Sequence, residues 1–264
     1  MRIIQHVGCN FDVQSQSELA GIGIKVSTGI DSFDIDESDP KWELLQRWLT
    51  RRCPVITTKT VFSKSELVNA SYLNMVASWH HGFPMPDLDD GYLESTYDTS
   101  SMCKECGIGF VQKSQFRMKA DPKWGTRDIL QLNWVFDTFF VTPQAYQDVF
   151  FPLGIQCFEV LNHKSGRPLE SVVQIIVNDK AHGDLDLDDS YKEACPKCGQ
   201  AKIRPHDRGF FPRLLKRNQL CIFKTREYFG SGCSAWNATI VSADLYNAIT
   251  NSALKGVTFY PLVD

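Results

Sequence analysis

Cys103-Lys104-Glu105-Cys106-Gly107 and Cys195-Pro196-Lys197-Cys198-Gly199 are the two stretches on which the reading of this chain turns. Each supplies two thiolates about one turn apart, and two such pairs complete the tetrahedral sulfur shell that zinc prefers. The glycine behind each second cysteine lets the backbone turn tightly, so amide N–H groups can point at the sulfurs and spread their charge. The pattern predicts one Zn2+ held by Cys103, Cys106, Cys195 and Cys198. Four thiolates close the shell and keep no position for water, so the expected role is structural rather than catalytic. Such sites bind with about 10–16 kcal/mol at neutral pH. That exceeds the whole stability of most domains, so a chain built this way should need its metal to fold. Neither pair has the strand-and-helix context of a thioredoxin motif, which sets a redox role aside.

Outward from the knuckles the chain echoes itself. Val141-Thr142-Pro143-Gln144-Ala145-Tyr146-Gln147-Asp148-Val149 runs on to Gly154 and Phe158. Val241-Ser242-Ala243-Asp244-Leu245-Tyr246-Asn247-Ala248-Ile249 runs on to Gly256 and Phe259. Thr142 and Ser242 are good helix N-caps, and Pro143 fits the first helical position. Tyr146/Val149 and Tyr246/Ile249 share one face of each short helix. A glycine then ends the helix region and a strand leaves. Strand-like runs precede both echoes, at Leu132–Phe140 and Ala235–Ile240, and a knuckle precedes each run. Residues 100–264 therefore read as two related halves, about 100–180 and 190–264, stapled by one zinc.

Residues 1–99 read as an N-terminal α+β region. Met1–Val7 is a first strand, and Gly21–Val26 a strand with weak spots. Asp39-Pro40 opens a helix whose Trp42, Leu45 and Leu49 share a face. Ser63 and Glu66 form a capping box ahead of Leu67 and Ala70. Tyr92–Tyr97 alternates as a half-buried strand does. Short strands mixed with short helices, without βαβα alternation, predict an α+β fold of mixed and antiparallel sheets.

Of 264 residues, 43% are hydrophobic, with 17 Phe, 8 Tyr and 6 Trp, enough to build a packed core. A net charge of −3 gives no wholesale basic footprint for nucleic acid. No run approaches the roughly 20 apolar residues that span a bilayer. The opening segment has no apolar core long enough for a signal peptide, so the expected compartment is the cytoplasm. Four of the nine cysteines lie in the knuckles. Cys9, Cys53, Cys157, Cys221 and Cys233 are then expected as free thiols, Cys157 and Cys221 as small buried hydrophobes.

Other constellations point to chemistry more weakly. His80 and His81 are adjacent in an extended loop and point to opposite sides, so they suit a loop better than a metal pair. With Asp87, Asp89 and Asp90 they are the nearest thing to a catalytic cluster. Asp184–Asp189 alternates like a calcium loop, but Asp189 stands where the loop needs glycine and Cys195 where it needs glutamate. Lys202, Arg204, Arg208, Arg213, Lys216 and Arg217, with Phe210 and Phe211 interleaved, could grip single-stranded nucleic acid. Asp207 and the acidic run before the second knuckle oppose that. No nucleophile elbow, phosphate loop or His-Glu-x-x-His is present, so the expectation is a protein that is not an enzyme.

The pattern resembles the bacterial double-CXXCG motif proteins. The matching residues are Cys103, Cys106, Gly107, Cys195, Cys198 and Gly199, with the closing strand–helix–Gly-x-x-Phe-x-Pro segment that ends in Gly256–Pro261. The similarity covers about residues 100–264, and the longer spacing between knuckles is assigned to a loop at 162–192. The resemblance implies zinc ligation by the four cysteines. Some members are classed as immunity proteins, which implies a cognate toxin as partner. Acidic runs at Asp31–Asp39 and Asp184–Asp189 would steer a basic toxin. The alternative reading is a zinc-ribbon nucleic-acid-binding protein that uses the 202–217 run.

Overall fold

Alternating apolar and polar side chains carry Arg2–Phe11 as strand β1. The computed structural model describes residues 1–264 except Cys53, Asp90 and residues 188–191. The described chain divides into two compact units, Met1–Glu66 with His206–Gly209, and Leu67–Pro205 with Phe210–Asp264. Both mix strands with short helices in an α+β architecture. Among the described residues no helix is long and apolar enough to cross a membrane.

In the first unit β1 is the central strand. It pairs antiparallel with β2 (Gly29–Asp36) and β3 (Val55–Val61). Helices α1 (Val13–Gly21) and α2 (Trp42–Arg52) close the unit. Val7, Phe11 and Ile35 from the sheet pack with Leu19 of α1 and Leu45, Trp48 and Leu49 of α2. The strand expected over Gly21–Val26 is instead the end of α1 and its turn, where Gly23 takes a φ of 83°. Helix α1 has few apolar residues, so its main local signal is Asp12, whose Oδ1 accepts the Ser15 amide at 2.6 Å. Ser63 and Glu66 form the expected capping box at the start of α3 (Lys64–Val68), each accepting the other's backbone amide.

The second unit follows as β4 (Tyr72–Ala77), α4 (Gly91–Thr96), β5 (Tyr97–Asp98), β6 (Val111–Gln112), β7 (Arg117–Met118), β8 (Ile129–Leu130) and β9 (Phe140–Val141). Helix α5 (Pro143–Ala145) widens into a π turn over Tyr146–Phe150, and β10 (Cys157–Asn162) and β11 (Pro168–Ile175) come next. The chain closes with β12 (Lys192–Ala194), β13 (Ala201–Ile203), β14 (Ile222–Phe229), β15 (Trp236–Ser242), α6 (Ala243–Asn251) and β16 (Val257–Pro261).

Two sheets share one plan. The five-stranded sheet runs β7-β10-β11-β9-β8 and the six-stranded sheet β12-β13-β14-β15-β4-β16. In the first, β9 and β10 flank β11 and both run antiparallel to it. In the second, β15 and β16 flank β4 in the same way. A short helix joins the flanking strands in each case. Thr142 Oγ1 accepts the Ala145 amide and Ser242 Oγ the Leu245 amide, so both expected N-caps form. The two helices share one core, where Ala145, Val149 and Phe150 meet Leu245, Tyr246 and Ile249. Strand alternation divides the remaining side chains. Ile129, Val141, Ile222 and Val241 face that core, while Leu130 and Phe140 or Phe223 and Ile240 face a second core behind their own sheet.

Three local expectations are corrected. Tyr92–Thr96 lies in α4 and not in a strand, because Tyr92 and Thr96 bury one helical face and only Tyr97–Asp98 pairs as β5. Leu132–Phe139 is a loop, turned at Trp134 with φ 70° and tied by Asn133 to the Gly82 carbonyl; only Phe140–Val141 pairs. Residues 162–192 are not simply a loop, since they contain β11, the central strand of its sheet.

Candidate metal centre

Each knuckle caps a short antiparallel hairpin. Cys103 and Cys106 lie between β5 and β6, and Cys195 and Cys198 between β12 and β13. The two turns repeat one hydrogen-bond pattern. Gly107 N donates to Cys103 O (2.7 Å) and Cys103 N to Ile108 O (2.8 Å); Gly199 N donates to Cys195 O (2.9 Å) and Cys195 N to Gln200 O (2.8 Å). Both glycines adopt left-handed backbone, φ 76° and 73°, which lets the chain reverse under the sulfurs.

The four sulfurs converge. Cys103 Sγ lies 3.9 Å from Cys195 Sγ, Cys106 Sγ lies 3.6 Å from Cys198 Sγ, and all four fall within 4.8 Å of one another. A tetrahedron with metal–sulfur bonds of about 2.3 Å has edges of about 3.8 Å. A disulfide would need about 2.05 Å, and these cysteines are free. The donor set therefore fits a divalent ion in a closed tetrahedron, and the four cysteines could hold one. Among the described residues this is the only group of three or more potential metal ligands.

Backbone amides favour the ionised form of the leading cysteines. Cys103 Sγ accepts the Cys106 amide first and the Glu105 amide next, which brings its pKa down to about 7. Cys195 is lowered in the same way by the amides of Cys198 and Lys197. Cys106 differs: burial pushes its thiol up to about 12, so a metal must displace its proton. Cys106, Ile108 and Ala235 form a small buried cluster against Cys103, Cys195 and Tyr228. The turn between β14 and β15 thus backs the centre.

One residue of the centre is not visible as such in the sequence. Lys202 of β13 belongs by composition to the basic run, yet it is 8% exposed. Its ammonium donates to the carbonyls of Cys106 (3.0 Å), Gly232 and Ser234 (3.1 Å). Strand alternation does not signal this, because Ile203 is buried as well and an inward Ile203 would leave Lys202 on the opposite face. The rest of the run is spread out. Arg204 pairs with Glu193, Arg208 with Glu37 and Arg213 with Asp186. Phe211 is buried in the core behind the six-stranded sheet, away from any base that would stack on it.

The other sequence candidates do not assemble. His81 stacks on Trp79 with ring centroids 5.1 Å apart, while His80 leans toward Phe136 and its pKa is lowered by burial. Asp90 of that cluster lies outside the described residues. In the acidic run Leu185 is buried at 4% exposure, and Asp184 and Asp186 pair with Arg226 and Arg213; Asp188 and Asp189 lie outside the described residues. A cleft of about 210 Å³ beside the centre is lined by groups already paired with one another, Gln112 with Gln174 and Lys224 with Asp137. Of the five further cysteines, Cys9, Cys157 and Cys221 are half-buried, less sequestered than the sequence suggests for the last two, and Cys233 is exposed. Cys53 lies outside the described residues.

The arrangement thus defines a class, a four-cysteine cluster between two hairpins that could hold a metal ion. Compared with known families and with curated proteins, the chain matches no family model and no curated protein.

Proposed function

We propose that this chain is a non-enzymatic binding protein, pinned by one structural Zn2+ on Cys103, Cys106, Cys195 and Cys198, and that it serves as an immunity protein that occludes a cognate bacterial toxin. The observation that carries the first part is the four-sulfur cluster, whose 3.6 and 3.9 Å edges suit a closed tetrahedron. Zinc in a closed shell supplies folding free energy rather than chemistry, so activity passes to the protein surface. The toxin rests on the resemblance to double-CXXCG proteins.

Surface charge supports a protein partner over nucleic acid. Burial removes two groups from the 202–217 run, Lys202, which is held on backbone carbonyls, and Phe211, which lies in the core. The exposed pairs Asp184–Arg226 and Asp186–Arg213 contribute only about 0–1 kcal/mol each, so a basic partner can exchange into them. The shared plan of β9–β11–β10 and β15–β4–β16, each with its capped helix, favours an origin as two related halves. In this reading the second half takes its central strand from β4, upstream of both knuckles.

Two measurements test the proposal. Metal analysis of the purified chain should return one zinc per molecule. A toxin-like reading frame beside the gene, expressed alone and together with this chain, should arrest growth only when alone, and the two products should co-purify. A metal-free folded protein would remove the first part. Growth of the toxin-expressing cells without this chain would remove the second.

A further inference from the structure

Lys202 is the only charged side chain among the buried polar residues of the described chain. Burying an ammonium without a counter-charge is costly, and no salt bridge joins Lys202 to a described carboxylate. Its three protons are all used on backbone carbonyls, which satisfies them as donors but leaves the charge uncompensated. One of those carbonyls belongs to the metal-ligand candidate Cys106. A divalent ion among four thiolates carries two net negative charges, and the ammonium is held on the backbone of one of the four cysteines.

We infer that Lys202 is the internal counter-charge of the metal centre, a positioning residue that raises metal affinity by its positive charge as well as by its hydrogen bonds. The inference rests on the reading that the four cysteines hold a metal. The topology suits the role. Lys202 stands on β13, directly behind the second knuckle, yet it bonds to the first knuckle at Cys106 and to the turn at Gly232 and Ser234. Its side chain therefore ties the two knuckle segments to the turn that backs them. Lys202 and Cys106 are both buried while Cys198 is exposed, so the ammonium acts on the centre from its protein side, where solvent screens it least.

The test separates charge from mere bracing. Zinc affinity of the full chain is measured by competition with a chromophoric chelator for the unmodified protein, Lys202→Met, Lys202→Gln and Lys202→Arg. The two neutral variants should bind about tenfold or more weakly. The same proteins are then loaded with iron, and the one-electron Fe(III)/Fe(II) potential is measured at an electrode. Reduction makes the tetrathiolate centre more negative, so a nearby ammonium favours the reduced form. Lys202→Gln should move the potential to more negative values, while Lys202→Arg, which keeps the charge, should leave it near that of the unmodified protein. If Lys202→Met does not fold, the Gln and Arg pair still decides. Neutral variants that hold zinc as tightly, with an unchanged iron potential, would overturn the inference and leave the metal reading standing. A potential that falls equally in Gln and Arg would reduce Lys202 to a brace. Failure of the unmodified chain to bind zinc would instead remove the underlying metal reading.

Discussion

Alanine in place of the glycine behind each knuckle should affect the two hairpins unequally. Gly107 and Gly199 have nearly the same backbone, φ 76° and 73°, so an added Cβ costs each about 1–2 kcal/mol for the left-handed conformation. Their surroundings differ. At Gly107 the methyl would lie 2.0 Å from the Cys233 carbonyl oxygen and 3.4 Å from the Ala235 nitrogen, whereas at Gly199 no atom of the described residues lies within 4 Å. A backbone carbonyl in a turn cannot swing aside as the end of a side chain can. Forced overpacking adds about 1–3 kcal/mol, which with the left-handed cost brings Gly107→Ala to a loss of about 2–5 kcal/mol. Both positions adjoin candidate ligands, so the loss appears as weaker metal binding, roughly 30- to 5000-fold for Gly107→Ala and roughly 5- to 30-fold for Gly199→Ala. Chelator competition on the zinc-loaded protein reads these ratios directly, and guanidinium denaturation gives the matching stabilities. Equal losses at the two positions, or a larger loss at Gly199, would refute the argument that the Cys233 carbonyl sets the difference.

Three further outcomes follow from the same structure. Serine at Cys106 removes the most buried ligand and should abolish stoichiometric zinc while lowering the thermal midpoint; a Cys106→Ser protein with full zinc content would count against the tetrahedral set. Trp48→Ala empties the centre of the first unit, where Trp48 is 1% exposed, and should destabilise it by about 3–5 kcal/mol in urea titration. Glu37 has its carboxyl held below the usual 4.5, first by the Arg208 hydrogen bonds and then by Gln5. A carboxyl lowered on folding adds stability that is present above about pH 4.5 and lost as pH falls through the folded value. Stability curves from pH 7 downward should therefore fall more steeply for the unmodified protein than for Glu37→Gln, and parallel curves would show that the pair contributes nothing.

Local chemistry announces itself where the signal is short-range. The knuckle sequences specify four cysteines and two left-handed turns, since both properties reside within five residues. Thr142, Ser242 and the Ser63–Glu66 box cap their helices as read, because a cap is a contact between residues three apart. The face of α2 was legible from the spacing of Leu45 and Leu49. Tyr92–Thr96 was not, because alternation over six residues also accommodates a helix that buries positions i and i+4. Leu132–Phe139 has strand-forming side chains but finds no partner strand, and pairing decides a strand more than propensity does.

By itself the sequence determined the donor set, the turn chemistry and the α+β character of the chain. Only the tertiary structure decided that β4, from before both knuckles, completes the second sheet, that Lys202 leaves the surface run to lie against Cys106, and that Gly107 is crowded while Gly199 is open. The reason is physical. Ligand type and backbone conformation are properties of a residue and its nearest neighbours. Strand pairing, the burial of a charge and the space around a methyl group depend on segments that are distant in the chain and meet only when it folds.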